Sequence, residues 1–129
     1  MKTSVNRKTL LLSFLLLATG SAWAGWEKLA TTTDATFHAD RATIRKDGNL
    51  RKMWELKNFK PRRKDGAMSE LSRTEYDCKG ERLMLLTLSG HTEPMGGGKV
   101  LFNDAPDPQW DEIAPRSVAA AFLKIACAQ

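Results

Sequence analysis

The spacing of apolar and polar residues between Trp26 and Phe102 predicts an antiparallel β-sheet. In the segment 69–78, alternate side chains from Ser72 to Cys78 fall on one face, and the charged residues between them fall on the other. After a turn at Lys79 and Gly80, the apolar run from Leu83 to Leu88 is typical of a central strand that is covered on both faces.

The clearest local motif is a hairpin in residues 41–59, where an Asp-Gly pair separates two alternating segments. If residues 46–48 form a three-residue loop, Gly48 takes the left-handed position and Ile44 pairs with Leu50. This register buries three apolar residues of the second strand: Leu50, Trp54 and Leu56. The residues of that strand predicted to face water are Arg51, Met53, Glu55 and Lys57.

Near the C-terminus the apolar spacing changes to that of an amphipathic helix. Four side chains follow the i, i+3, i+4, i+7 pattern: Val118, Ala121, Phe122 and Ile125. Ser117 is the predicted N-cap. We expect the helix to lie on the sheet and to bury the second face of Leu83–Leu88. The predicted fold is therefore α+β: a single antiparallel sheet of about five to six strands with one C-terminal helix packed on it.

A basic start and a leucine-rich run are typical of a secretory signal peptide in residues 1–24, with cleavage after Ala24 at an A-x-A site. The apolar run from Leu10 to Ala18 is about half of the ~20 residues that cross a bilayer, which disfavours the alternative of a retained anchor. Gly25 offers no acceptor for a lipid anchor. We expect one domain, residues 25–129, that is periplasmic or secreted; surface display stays open.

Cleavage changes the charge of the chain. Three of the 20 basic residues and none of the 15 acidic residues lie in the leader, so the net charge falls from +5 to +2 in residues 25–129. A nucleic-acid partner is disfavoured, because this weak charge gives no broad cationic surface that would release counterions from phosphates.

The chain has two cysteines, Cys78 and Cys127, and export to an oxidising compartment predicts a disulfide between them. Closing a loop of about 50 residues contributes about 4 kcal/mol in the chain-entropy model. The alternatives are a reactive thiol, which lacks a C-x-x-C partner, and a metal site with His38 and His91, which lacks paired ligand spacing. We predict no metal and no cofactor.

The densest charge cluster is the main candidate binding site. It comprises Lys57, Lys60, Arg62, Arg63 and Lys64. Such a cluster can hold an acidic protein surface, a sulfated polysaccharide or lipid headgroups. The alternative is a solvated loop whose charge keeps a sheet edge soluble, and the pattern favours that alternative.

Other groups give weaker signals. Three tryptophans could share a binding face, but individually they favour the core: Trp26, Trp54 and Trp110. Three carboxylates match no known metal loop: Asp107, Asp111 and Glu112. The glycines 96–98 indicate a mobile hinge or the bulged start of a strand. No assembled nucleophile and base are visible, so we predict that the protein is not an enzyme.

Together these landmarks resemble the surface-adhesin protein E family of Gram-negative bacteria. The most specific matches are the run Glu75–Cys78 and the W-x-x-I-x-P-x-S pattern from Trp110 to Ser117 that leads to Cys127. Further matches are Trp26, Asp40, Ile44, Trp54, Ser69 and the glycines before Val100. Arg116 stands where a small residue is expected, and the leader has no lipidation cysteine.

The resemblance implies a small sheet with a C-terminal helix, the capacity to form a homodimer, and attachment to host matrix or serum proteins. We therefore predict an exported, non-enzymatic module that binds host or envelope components through loop and sheet-edge surface, first through residues 57–64 and 90–98. The alternative is a soluble periplasmic accessory or small-ligand-binding protein with no adhesion role. A deep apolar cavity between helix and sheet would favour that alternative.

Overall fold

Seven antiparallel strands form one sheet in the computed structural model, which describes residues 25–128. The strands are β1 (Glu27–Thr31), β2 (Ala35–Asp47), β3 (Leu50–Phe59), β4 (Ser69–Asp77), β5 (Arg82–His91), β6 (Val100–Asp104) and β7 (Asp111–Glu112). They pair in the order β1-β2-β3-β4-β5-β6, and β7 adds to β5. The helix α1 (Val118–Cys127) follows them. The predicted fold class is confirmed; the predicted leader and its cleavage site lie outside the described residues.

The helix begins and ends as the sequence indicates. Ser117 caps it by accepting a hydrogen bond from the Ala120 amide at 3.1 Å. At the other end, the Sγ atoms of Cys78 and Cys127 are 2.07 Å apart, which confirms the predicted disulfide. The bond therefore joins the last turn of α1 to the end of β4.

The core lies between α1 and the sheet face that it covers, which we call the helix face. Its buried members are Ala39, Met53, Tyr76, Phe122, Ile125 and Ala126. Phe37 packs edge-on against Phe122, with 6.4 Å between ring centroids. Within residues 25–128, no helix is long and apolar enough to span a membrane.

The predicted register of the β2–β3 hairpin is wrong. Asp47 pairs with Leu50, so the loop is Gly48-Asn49 and Ile44 does not oppose Leu50. Gly48 does have a left-handed φ of +56°. The difference arises from a bulge between Asp40 and Arg45, where Thr43 Oγ1 accepts the Trp54 amide at 3.0 Å in place of a ladder bond.

The predicted faces of β3 are also partly reversed. Met53, predicted to face water, is fully buried at 0% exposure. Alternation places Glu55 and Lys57 on the same face, the helix face, whereas Trp54 faces the other way and is half-buried. Both faces of β3 carry apolar residues, so its pattern alone cannot select the covered face; the position of α1 does.

The helix does not cover β5 as predicted. It packs on β1 to β4, and the side chains Leu83, Leu85 and Leu88 remain half-buried. The helix is short, since ten residues extend about 15 Å, whereas six paired strands span about 24 Å. One side of β5 is therefore left open beside the helix.

Candidate binding sites

The five basic residues of the candidate cluster lie close together but differ in their contacts. Lys57 is on the helix face, with its ammonium 5.5 Å from the ring centroid of Phe37 and 5.1 Å from that of Phe59. Arg63 approaches the Phe59 ring at 5.1 Å and pairs with Glu70 at 2.7 Å. These two cations contact the protein's own aromatic rings, which reduces their availability to a partner.

The remaining three basic residues lie in the loop between β3 and β4. Lys60 donates to the Thr32 carbonyl at 2.5 Å. Arg62 donates to the carbonyls of Gly66 at 3.0 Å and Thr92 at 3.1 Å. Lys64 is exposed. The loop is thus tied to neighbouring segments through Lys60 and Arg62.

The segment 90–98 is anchored to the sheet by hydrogen bonds. Ser69, fully buried, donates from Oγ to the Glu93 carbonyl at 2.6 Å and accepts from the Gly96 amide at 2.9 Å. Asn58 Oδ1 accepts from the Met95 amide at 2.8 Å. The β5–β6 register shifts after Gly90, so β6 enters the sheet through a bulge, as one of the two sequence alternatives predicts.

These two segments meet at the first residues of β6. Arg62 reaches the Thr92 carbonyl, and Leu101 Cδ1 lies 3.8 Å from where a Cβ on Gly66 would stand. Val100 and Leu101 are 53% and 41% exposed, and among residues 25–128 they are the large apolar residues most open to solvent. We use the name end surface for Val100 and Leu101, the adjacent Lys99, and the exposed Arg62 and Lys64 of the loop that approaches Leu101 at Gly66. Sequence analysis missed its apolar part, although two apolar residues directly after a glycine run were a visible signal.

A second candidate site is the gap beside the helix, an open groove of about 350 Å³ that we call the helix groove. One wall is formed by the β5 leucines Leu83, Leu85 and Leu88. Val118 and Phe122 of the first turns of α1 form the opposite wall. Glu55 lies among these apolar residues. The volume is within the range of small-molecule sites in proteins.

The carboxyl group of Glu55 is held by two hydroxyl groups. Tyr76 donates its hydroxyl to Oε1, and Thr74 donates to Oε2 at 3.2 Å. Burial raises the pKa of Glu55 to about 7, although both hydrogen bonds oppose this change. Burial and the neighbouring Glu55 also raise the pKa of Tyr76, so that hydroxyl stays protonated. Glu55 therefore changes charge near neutral pH.

The tryptophans do not belong to the buried core, so that expectation is wrong. Trp26, Trp54 and Trp110 are each half-buried. Trp110 stacks on the guanidinium group of Arg82 at 4.6 Å. Trp54 lines a second cavity of about 350 Å³ together with Ser89 and Asn103. Their amphipathic rings are at the surface of the sheet rather than inside it.

The histidines and carboxylates considered above do not converge. Among residues 25–128, no group of three or more His, Cys, Asp or Glu side chains could hold a metal ion. His91 Nε2 lies 2.8 Å from Ser89 Oγ, a pair that sequence analysis missed although residues two apart in a strand share a face. His91 is only 7% exposed, and its Nδ1 has no hydrogen-bond partner within the described range, so no third group orients the ring.

Comparison with known proteins agrees with this architecture. The profile of the family described as surface-adhesin protein E matches residues 26–128. A structure of Haemophilus influenzae protein E in crystal form II superposes with a TM-score of 0.63 at 18% identity, covering 81% of this chain and 88% of that one.

The selenomethionine form of the same protein gives a TM-score of 0.62 at 17% identity, with coverage of 81% and 87%. No curated protein sequence matches the chain. At this identity the solved structures show the fold, whereas the profile match spans nearly the whole described chain. The chain therefore belongs to the surface-adhesin protein E family.

Proposed function

We propose that this chain is an exported, non-enzymatic binding module that attaches to a host extracellular or cell-envelope protein through the end surface. Membership of a surface-adhesin family supports export and adhesion as the general role. The observation that carries the site is the exposure of Val100 and Leu101 on β6, which pairs only with β5 and so ends the sheet.

An edge strand presents unpaired amide and carbonyl groups to which an extended segment of a partner can add. In β6, the two exposed apolar side chains stand beside this edge. Arg62, Lys64 and Lys99 flank it with positive charge, which steers an acidic partner towards the edge. Of the basic cluster, we assign Lys64 to binding, and Arg62 to binding in addition to tying the loop to Thr92. Lys60 and Arg63 support the loop, and Lys57 on β3 packs over the rings of Phe37 and Phe59.

The test is capture of host matrix, serum and envelope proteins on the oxidised exported form of the chain. We expect the double variant Val100→Lys, Leu101→Glu to lose the partner, and Arg62→Glu, Lys64→Glu to weaken it with a reduced dependence on salt. Lys28→Glu, on the edge strand β1 at the other side of the sheet, is the matched control.

Retention of full binding by both double variants would refute the end surface as the site. Protection of the protein from external protease on intact cells would refute adhesion itself. Because a second copy of the chain could add to the same edge, sedimentation of each variant distinguishes a homodimer from a foreign partner.

The helix groove favours a second function, that of a soluble periplasmic small-ligand-binding or accessory protein. A cavity between helix and sheet is the feature that this alternative predicts, and its walls are largely apolar. The two functions use different surfaces, so the end-surface variants separate them.

A further inference from the structure

The helix groove combines apolar walls with an acidic group that has no cationic partner. None of the ion pairs between residues 25–128 includes Glu55, whose contacts are the hydroxyls of Tyr76 and Thr74. Two donors leave part of a carboxylate's hydrogen-bonding capacity unused. A buried charge in this position is stabilised when a cation reaches it.

Two charged residues besides Glu55 line the groove, Lys57 and Glu70. On β3, Lys57 lines the groove, but its ammonium lies over the rings of Phe37 and Phe59. On β4, Glu70 also lines it and is paired with Arg63, and Tyr76 stays neutral.

From β2, β5 and α1, the residues that line the groove are without charge: Phe37, Leu83, Leu85, Leu88, Val118, Ala119 and Phe122. Glu55 is therefore the carboxylate of the groove that no ion pair within the described chain neutralises, and Lys57 is the cation that lines it, two residues away on the same strand.

We propose that the helix groove binds a small apolar cation, with its hydrocarbon body on the β5 leucines and its ammonium group against Glu55. At roughly the 30 Å³ that one water molecule occupies in the liquid, a groove of about 350 Å³ holds about ten non-hydrogen atoms. An amine with a chain of eight carbons fits this size.

This site is separate from the end surface and goes beyond the adhesive role proposed above. Its residues lie on the helix face and α1, whereas the end surface lies on β6 and the β3–β4 loop. Loss of one activity would leave the other intact, so the two proposals fail independently.

The experiment compares three probes that share one hydrocarbon body: octylamine, octanol and octanoate. Binding to the oxidised chain is followed by amide NMR shifts of groove residues such as Leu85 and Val118. We expect octylamine to bind at least about tenfold more tightly than octanol, because hydrogen bonds to charged groups contribute more than neutral ones. We expect octanoate to bind most weakly.

The variant Glu55→Gln should bind octylamine no better than octanol, whereas Glu112→Gln, the same change on the exposed strand β7, should behave as the wild type. Because the cation needs ionised Glu55, octylamine affinity should rise about twentyfold from pH 5.5 to 7.5, given a pKa near 7. Octanol affinity should not change.

Several results would overturn the proposal. Equal binding of the three probes would mean that the groove is merely apolar, and a preference for octanoate would assign recognition to Lys57. Unchanged octylamine binding by Glu55→Gln, or shifts outside the groove, would place the cation elsewhere.

Discussion

The substitution Glu55→Gln tests whether the carboxyl group in the helix groove resists ionisation in the folded protein. Glutamine has the same size and can exchange hydrogen bonds with the hydroxyls of Tyr76 and Thr74, but it carries no charge. The variant therefore isolates the effect of charge from that of packing.

The magnitude follows from the pKa of Glu55, which burial raises from 4.5 to about 7. Between these two values the folded chain holds a proton that the unfolded chain has released. The stabilising contribution is thus complete below pH 4.5 and is lost as pH rises through 7. The full shift corresponds to about 3 kcal/mol, and since the groove is open to water we expect about 2 kcal/mol.

The assay is urea unfolding of the oxidised chain at pH 5 and pH 8, monitored by circular dichroism. Relative to the wild type, Glu55→Gln should be about equally stable at pH 5 and about 2 kcal/mol more stable at pH 8. The control Glu112→Gln, an exposed carboxylate, should retain the wild-type pH dependence.

Two results would refute this reasoning. If Glu55→Gln showed the same loss of stability with rising pH as the wild type, another group would carry the titration. If it were less stable at both pH values, the hydrogen bonds with Tyr76 would outweigh the cost of burying the charge.

Three further outcomes follow from the fold. Cys127→Ser should lower the free energy of unfolding by about 4 kcal/mol, and reductant should lower that of the wild type but not of the variant, as urea titration would show. Met53→Ala should cost about 3 kcal/mol, and the half-buried Met84→Ala clearly less; similar values would contradict the face assignment of β3. Ser69→Ala removes two bonds to the segment 93–96 and should speed amide exchange there, whereas Ser72→Ala should not.

Local signals predicted much of the fold. Ser117 indicated the start of the helix, the apolar spacing from Val118 to Ile125 indicated its buried side, and two cysteines in an exported chain allowed one pairing. The start and the buried side of the helix depend on residues that are close together in the sequence. The disulfide depends on chemistry alone, because two cysteines have only one possible pairing. Such features can be derived without knowledge of the packing.

The errors in the hairpin arose from interactions that the local pattern does not contain. The bulge at residues 41–44 depends on the Thr43 hydroxyl, which accepts the Trp54 amide in place of a ladder bond. A threonine in a strand does not by itself predict such a bond. Met53 and Trp54 are neighbours of similar hydrophobicity on opposite faces. Which of them is buried depends on where α1 packs, and the disulfide and the helix core decide this at long range.

The candidate sites were predictable in part. The basic cluster is evident in the sequence, but only the structure shows that Arg63 pairs with Glu70 and that Lys57 faces aromatic rings. In the sequence, alternation places Glu55 on the same side of β3 as Arg51 and Lys57, and this pattern predicts an exposed position. The half-buried position of Glu55 in the groove depends on Tyr76 of the next strand and on the helix, which the spacing within β3 does not encode.

Both proposed sites have one structural origin, a sheet that is wider than the helix that covers it. The helix packs on β1 to β4, and the Cys78–Cys127 bond holds its last turn at the end of β4. The uncovered strands then differ in what they expose: β5 offers its leucine side chains beside Glu55, and β6 offers its edge. Side chains recognise a small apolar molecule, whereas a strand edge recognises another backbone. One short, covalently anchored helix thus leaves room for two kinds of binding on a single domain.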